Sequence, residues 1–188
     1  MARPVGRRGE TRNRVIIAAL ELFAQHGIGG TSLQMIADHL GLTKAAVYFQ
    51  FQTKEDIILA VVQPAFDQME VFLTAAESEP DAARRLELVV EGLVDLVLDH
   101  GAVMLALQGD PGLGQILRTH PEQQDRIVRL SAQLNGPSPD VSRQVAVAMV
   151  GGGLMLIGGD PVLRTADAGV LRTELLAAAW RLLRPFVR

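Results

Sequence analysis

Seven consecutive residues, 44 to 50, combine a cation, two adjacent aromatic rings and an amide in the order KAAVYFQ. An ammonium group can pair with a phosphate or a base edge, and aromatic rings can press on sugars and thymine methyl groups. The hydroxyl of Tyr48 can reach a phosphate. A free-standing protein has little reason to expose Tyr48 beside Phe49, so the chemistry predicted for this run is DNA binding.

Two short helices joined by a tight turn must position this run. Thr31 or Ser32 caps the first helix, Gly41 permits a left-handed turn, and Thr43 caps the second helix of about seven residues. The inward positions are predicted to be Ile36, Ala37, Leu40, Leu42 and Val47, which leaves Lys44, Ala45, Ala46, Tyr48, Phe49 and Gln50 exposed. The alternative is an ordinary antiparallel helix pair with both aromatic rings in the core.

The rest of the chain also has helical periodicity, and no strand-like alternation is long enough to indicate a sheet. A first helix is predicted over residues 11–26 and ends at Gly27. Thr53 with Asp56 has the spacing of a capping box and opens a fourth helix, which Pro64 should kink or break. A strong amphipathic helix follows over residues 82–100, and further helices lie at 121–134, 140–157 and 167–186.

Charge divides the chain into a basic head and an acidic body. Residues 1–54 hold seven Lys or Arg against three acidic residues, whereas the remainder holds eleven Arg against eighteen acidic residues. A basic head allows one end of the chain to approach phosphate. Arg3, Arg7 and Arg8 form either a disordered tail or an arm that follows the DNA backbone or minor groove.

Composition excludes several classes of protein. There is no cysteine, so disulfides, thiolate metal sites and cysteine nucleophiles are excluded, and no metal or cofactor is expected. The first residues lack the apolar run of a signal peptide, and the longest apolar stretch, residues 145–157, is shorter than a membrane span. A soluble protein of the cytoplasm, with no membrane partner, is predicted.

Residues 11–62 resemble the N-terminal domain of the tetracycline-repressor (TetR/AcrR) family over about fifty positions without a gap. The matching elements are Ala18-Ala19-Leu20-Glu21-Leu22-Phe23, Gly27, Thr31-Ser32, Ile36-Ala37, Gly41-Leu42-Thr43-Lys44, Val47-Tyr48, Phe51 and Lys54-Glu55. Beyond residue 75 only length and helical layout match.

The resemblance implies an all-α homodimer of about nine helices per chain. Residues 1–54 would form a three-helix helix-turn-helix DNA-binding domain, and residues 55–188 a helical ligand-binding and dimerisation domain. The implied function is transcriptional regulation, most simply by a repressor that binds a palindromic double-stranded DNA operator and is released by an apolar small molecule. The last two helices would form the dimer interface.

The family's DNA-binding roles carry over to matching positions. Lys44, Ala45 and Tyr48 would face base edges, Gln34 would reach a base, and Ser32, Ala46, Gln50 and Lys54 would lie near phosphates. Thr43 and Phe49 complete the predicted site. The chain departs from the common pattern at Ala45-Ala46 and at Phe49-Gln50, so fewer direct hydrogen bonds to bases are expected.

The acidic body has Met and Phe side chains that could line an apolar effector cavity or simply fill a core. They belong to the set Phe66, Met69, Phe72, Leu88, Gly92, Leu96, Met104, Leu107, Ile127, Leu130, Met149 and Met155. A helix carrying Gly151-Gly152-Gly153 is expected to approach the final helix closely. That final helix would present Leu171, Leu175, Leu176, Ala179, Leu182 and Leu183 to a dimer partner or to the chain's own core.

Two other classes of function remain open from the residues. An enzyme would have to use Asp99-His100, Asp110 or His120, which lie at a helix end and in loops without a nucleophile nearby. His100 is more simply a favourable charge at a helix C-terminus. The other class is a nucleic-acid-binding protein without a sensor, which a titration with apolar small molecules would distinguish.

Overall fold

A computed structural model describes residues Arg8–Leu107 and Pro111–Val187, and within them every regular element is helical. The predicted all-α fold of about nine helices is therefore confirmed. The α-helices are α1 (Arg8–Gly30), α2 (Leu33–Leu40), α3 (Lys44–Gln50), α4 (Lys54–Glu77), α5 (Ala82–Leu107), α6 (Pro111–Thr119), α7 (Pro121–Asn135), α8 (Val141–Gly158) and α9 (Ala168–Leu183). Two short 3-10 turns follow α8 and α9, at Leu163–Thr165 and Arg184–Phe186.

The chain divides into two compact units, Met1–Gln63 with Ala106–Ile116, and Pro64–Leu105 with Leu117–Arg188. The predicted functional boundary after residue 54 is not tested by this division and stays a prediction. Of the kink or break predicted at Pro64, the break does not occur, because α4 runs from Lys54 to Glu77 through the proline. The kink stays a prediction.

The first unit is built on α1, which packs against α2 and α3. One face of α1 buries Val15, Ala18, Ala19, Leu22 and Phe23, the positions that helical spacing predicts. The chain leaves the helical conformation at Gly27, where φ is +72°. Thr31 then donates its hydroxyl hydrogen bond to the carbonyls of Leu22 and Gly27, at 3.2 and 2.9 Å, which fixes the turn into α2.

The second unit has its core on the apolar faces of α4 and α5, including Phe66, Leu73, Val90 and Val94. Two glycines permit close packing there. A Cβ on Gly92 would collide with the Phe72 ring, and a Cβ on Gly101 would lie 2.5 Å from the Cα of Gly158. The sequence predicted a helix end near His100, but α5 extends to Leu107. Gly101 is a packing position inside the helix and not its end.

The helix that carries Gly151, Gly152 and Gly153 packs against the final helix as predicted, since α8 contacts α9. The three glycines are not where the two helices meet within this chain, because a Cβ on any of them would meet nothing within 4 Å. Close backbone approach occurs instead between Gly101 and Gly158. Of the six apolar residues of α9 that were predicted to face a partner or the core, Leu175, Ala179 and Leu183 are buried in the chain's own core. The remaining three, Leu171, Leu176 and Leu182, are only partly buried.

Ion pairs join helices within the second unit. Arg129 of α7 bonds Glu70 and Glu77 of α4 at 2.9 and 2.8 Å, and Arg126 bonds Glu70 at 2.9 Å. Arg172 of α9 forms a two-pronged pair with Asp95 of α5, at 2.6 and 2.9 Å. Hydrogen bonds from Arg129 lower the pKa of both Glu70 and Glu77 and raise the pKa of Arg129.

By length and composition alone, α4 and α8 would each suffice to cross a membrane. The apolar stretch that the sequence analysis judged too short thus belongs to a helix of 18 residues.

Candidate nucleic-acid interface

The predicted helix-turn-helix forms through the local signals that predicted it. The Ser32 hydroxyl accepts the backbone N–H of Met35 at 3.2 Å, and the Thr43 hydroxyl accepts that of Ala46 at 3.2 Å. Gly41 has φ +62° in the left-handed region, and its N–H caps α2. Ile36, Ala37 and Val47 are fully buried between the helices, so the turn and both caps hold α3 in one orientation.

The outward face of α3 carries four of the six residues that the sequence predicted to be exposed. Tyr48 is 43% exposed and Phe49 is 68% exposed, while Val47 is fully buried. Lys44 and Ala45 are exposed, and Ala46 and Gln50 are half-buried. The Lys44 ammonium lies 5.5 Å from the centre of the Tyr48 ring, so the cation and the phenol form one patch.

Gln34 and Ser32 lie at the start of α2, on its exposed side. The Gln34 amide donates to the Asp38 carboxylate at 2.7 Å, one helical turn away. A contact from Gln34 to a base would therefore use its carbonyl or its second N–H, or exchange this bond. The Ser32 hydroxyl is already the cap of α2. The DNA contacts of Ser32 and Gln34 stay predictions.

Lys54 differs most from its predicted surroundings. Its ammonium donates to the carbonyls of Ile28 and Thr31, at 2.6 and 3.0 Å, and the side chain is partly buried. These bonds hold the start of α4 to the turn that precedes α2. One of the three ammonium donors is left for a phosphate, so Lys54 acts first as a structural link.

Arg12 is a positioning residue that the sequence analysis missed. Its Nη1 donates to the Gln50 carbonyl at 3.1 Å, and its guanidinium stacks 4.0 Å from the centre of the Phe51 ring. Arg12 thus satisfies a carbonyl at the C-terminal end of α3. The two residues are 38 positions apart in the sequence, so no local pattern could have indicated the contact.

The basic head is described only in part. Arg12, Arg14 and Lys44 are exposed on the first unit. The predicted arm falls outside what the structure describes, since Arg3 and Arg7 lie outside the described residues and the side chain of Arg8 is not described. The excess of basic residues in the head is therefore known from the sequence. The structure places three of these cations, Arg12, Arg14 and Lys44, on the surface of the first unit.

The residues considered for catalysis, Asp99-His100, Asp110 and His120, are described only in part. Among the described residues no group of three His, Asp or Glu side chains is placed to hold a metal ion. Asp99 accepts a hydrogen bond from Gln68 at 3.0 Å, and His120 precedes α7 at its N-cap without a capping side-chain bond. Asp110 lies outside the described residues.

The predicted effector-binding residues fall into three groups. The buried group consists of Phe66, Met69, Phe72, Leu96 and Leu107. The partly buried group consists of Leu88, Gly92, Leu130 and Met155. Ile127 and Met149 are 36% and 58% exposed. Ile127 lines an open cleft between α7 and α8, and the ligand-binding role of both residues stays a prediction. The Met104 side chain is outside the described part. The Phe72 ring packs directly on Gly92.

Comparison with known proteins identifies residues 15–61 as matching the family model described as bacterial regulatory proteins, tetR family. The transcriptional repressor BepR of Brucella suis is 33% identical over 98 residues, which are 51% of this chain and 47% of that protein. The transcriptional activator FasR of Mycolicibacterium smegmatis is 28% identical over 150 residues, or 76% of this chain and 68% of FasR. The matched region spans about half the length of the first curated relatives.

Solved structures share the fold over most of the chain. A TetR-family member from Streptomyces coelicolor has a TM-score of 0.67 and 22% identity, covering 90% of this chain and 89% of that one. The regulator FadR of Bacillus subtilis, solved in complex with stearoyl-CoA, has a TM-score of 0.59 and 20% identity, covering 89% and 96%. These relatives are transcriptional regulators, a class distinct from enzymes.

Proposed function

Because the chain belongs to the tetR family of bacterial regulatory proteins through its N-terminal domain, we propose that it is a transcriptional repressor. In this proposal it binds a palindromic double-stranded DNA operator as a homodimer and is released by an apolar small molecule. It works in the cytoplasm, where the DNA is. The observation that carries the proposal is the exposed Lys44–Tyr48–Phe49 face of a capped, rigidly packed α3.

The DNA-binding step is supported by the exposure of Lys44 and Tyr48 on α3 and by the burial of Val47 on its opposite face. A two-helix motif places its second helix in the major groove, with residues near the N-terminus of that helix at the base edges. Lys44 is the first residue of α3, and Tyr48 lies one turn further on. Both side chains are exposed, so they can reach DNA without unfolding the first unit. The proposed interface also includes Ser32, Gln34, Thr43, Ala45, Ala46 and Gln50.

The homodimer is supported by an apolar stripe on α8. The stripe consists of Val141 (74% exposed), Val145 (52%), Met149 (58%) and Leu156 (63%). Gly152 lies in the same row. Their spacing of three and four residues places them on one face, opposite the buried Ala146, Val150 and Leu154. An apolar row of this length on a helix needs a partner, and a second copy of the stripe is self-complementary in a two-fold dimer.

Release by an apolar molecule is the third part of the proposal. Its support is the apolar interior of the second unit, which buries Phe66, Met69 and Phe72, together with the family's division into a DNA-binding and a ligand-binding part. FadR of Bacillus subtilis was solved with stearoyl-CoA, an acyl thioester. For this chain the effector is proposed only as a mostly apolar small molecule.

The proposal is tested by selecting bound DNA from a random pool with the purified full chain. The expected product is a palindrome whose half-sites are separated by about one helical turn or a multiple of it, because each protomer supplies one α3. Selection of single-stranded or RNA ligands over duplex DNA, or failure to enrich any duplex sequence, would contradict the proposal. Reporter expression from the selected site, with and without the protein, then distinguishes repression from activation.

A further inference from the structure

An open cleft of about 730 Å³ lies in the second unit, between the start of α5, the turn that joins α7 to α8 and the segment after α9. One part of its lining is apolar and includes Leu86, Pro137, Phe186 and Val187. The other part includes the side chains of Arg85 and Arg143. A cleft with an apolar wall and a few converging polar groups is the usual form of a small-molecule site.

The two arginines are held in place by backbone carbonyls. Arg85 donates from Nη1 to the carbonyls of Glu79 and Pro80, at 2.7 and 3.0 Å. Arg143 donates from Nε to the carbonyl of Leu134 at 2.9 Å. Each guanidinium has five N–H donors, so most donors remain after these bonds are made. Their positions are fixed before any ligand arrives, which lowers the entropic cost of binding.

Neither arginine has a carboxylate partner among the described residues, although other arginines of the same unit do. Arg126, Arg129 and Arg172 each pair with a Glu or Asp of a neighbouring helix. The acidic side chain in the cleft lining is Asp140, whose Oδ1 accepts the backbone N–H of Arg143 at 2.7 Å as the cap of α8. Capping of helix ends explains the anchored nitrogens of the two arginines, but it leaves their remaining donors without an acid.

Asn135 supplies a third polar group with an unmet bond. Its Nδ2 donates to the carbonyl and hydroxyl of Ser131, at 3.0 and 3.3 Å. Its Oδ1 is buried and has no partner among the described residues. A buried acceptor without a donor is costly. Because an ionised carboxylate has no hydrogen to donate, a water bound beside the ligand would satisfy this acceptor.

We propose that this cleft binds a small amphipathic carboxylate. The carboxylate is held by the free guanidinium donors of Arg85 and Arg143, and the hydrocarbon lies against Leu86 and Phe186. Two guanidinium groups and one carboxylate give the lining a single net positive charge, which a monoanion neutralises and a phosphate dianion would exceed. The inference goes beyond the proposed function and does not depend on DNA binding, because the cleft lining includes none of the predicted effector-binding residues.

The test is calorimetric titration of the full chain, without DNA, with sodium octanoate, 1-octanol and octyl phosphate. Saturable octanoate binding is expected, with octanol and octyl phosphate each binding more weakly. Arg85→Gln and Arg143→Gln should each weaken octanoate binding at least about tenfold, because each removes charge-assisted hydrogen bonds. Arg118→Gln, which alters an exposed arginine of α6 outside the cleft lining, is the matched control and should bind as the wild type does.

Phe186→Ala separates loss of the site from loss of the fold, because Phe186 lies after α9 and is only partly buried. This variant should keep the wild-type helical content and bind octanoate severalfold more weakly. The proposal is overturned by octanoate affinity that is unchanged in both cleft arginine variants, or by octanol binding as tightly as octanoate. Preference for octyl phosphate, or no saturable octanoate binding by a folded wild type, also overturns it.

Discussion

The chemistry of this protein depends on a few side chains whose roles differ from what residue type alone suggests. Lys44 and Lys54 are both lysines of the basic head, yet Lys44 is exposed on α3 and Lys54 is bonded to two carbonyls. Arg12 likewise looks like a phosphate-binding cation in the sequence but contacts the end of α3. Long-range contacts therefore decide which cations are available to DNA.

Arg12→Ala should weaken operator binding because α3 is held less firmly, and not because a phosphate contact is lost. The substitution removes the hydrogen bond to Gln50 and the stacking on Phe51, an exposed contact worth about 0.5–1 kcal/mol, and loosens the end of α3. Fluorescence anisotropy with labelled operator should show an affinity loss of about two- to fivefold, with the slope of log K against log salt unchanged.

The matched control for Arg12 is Arg14→Ala, another exposed arginine on α1. If Arg14 touches phosphate, its loss should lower the salt slope by about one, and if it touches nothing, affinity should not change. A salt slope that falls by about one in Arg12→Ala would show that Arg12 binds phosphate directly.

At the scale of the helices, local sequence signals predicted the capped helix ends well. They predicted contacts between distant helices poorly. Ser32, Gly41, Thr43 and the Thr53–Asp56 pair all act where the sequence placed them, because a cap is decided within four residues. The length of α5 could not be predicted in this way. Gly101 has the composition of a helix end, and only its contact with Gly158, 57 positions later, shows why glycine is needed there.

The same difference between local and long-range signals applies to the candidate sites. Exposure of Lys44, Tyr48 and Phe49 follows from the short spacing around Val47, and the sequence predicted it. The lining of an effector cavity depends on how four helices meet. Periodicity gives the inward face of a helix but not its neighbour, so the sequence grouped the exposed Met149 with the buried Phe66.

Met149→Glu should convert the proposed dimer to a folded monomer. Met149 is 58% exposed in the middle of the α8 stripe, so the new charge costs the free chain little but would be buried beside its own copy in a dimer. Sedimentation velocity at micromolar concentration measures the change. Gln144→Glu, on the same helix outside the stripe, should remain a dimer.

Leu175→Glu is expected to behave differently, because Leu175 is 5% exposed and packs in the chain's own core. That variant should unfold or precipitate, since it buries an unpaired charge. A wild-type monomer, or a dimer of Met149→Glu as tight as the wild type, would show that α8 is not the interface.

The α4–α7 ion pairs predict a pH-dependent contribution to stability. Hydrogen bonds from Arg129 lower the pKa of Glu70 and Glu77 below their ordinary value of 4.5. Because the folded-state pKa values are lowered, the stabilisation is present above pH 4.5 and is lost as pH falls through the folded-state values. Arg129→Gln should therefore lower the free energy of unfolding at pH 7, and its difference from the wild type should shrink at lower pH.

Urea denaturation of both proteins at pH 7 and at about pH 3 measures this difference, with ionic strength held constant. Arg84→Gln is the control, because its pair with Glu87 is a solvent-exposed i,i+3 contact that should contribute little at either pH. An Arg129→Gln effect that stays the same from pH 7 to pH 3 would mean that the pairs do not produce it.

At the scale of the whole molecule, DNA binding by the head and effector binding by the body are proposed to be coupled. Thermodynamic linkage makes the free energy of that coupling measurable. An apolar effector that releases the protein from operator must bind free protein more tightly than operator-bound protein, by the same factor by which it lowers DNA affinity. A coupling of about 1–3 kcal/mol gives about 5- to 150-fold release. Effector titrations with and without operator should differ by that factor, and equal affinities would exclude the tested molecule as the inducer.

The measurement that tests the central claim most directly is the affinity of Lys44→Ala and Tyr48→Ala for the selected operator and for random duplex DNA. Both side chains are exposed, so both variants should keep the wild-type melting temperature. Lys44→Ala should lose about 1–3 kcal/mol on the operator if Lys44 reads a base, with a smaller loss on random DNA. Tyr48→Ala should also bind the operator more weakly. Wild-type operator affinity in both folded variants would contradict the assignment of α3 as the DNA-reading helix.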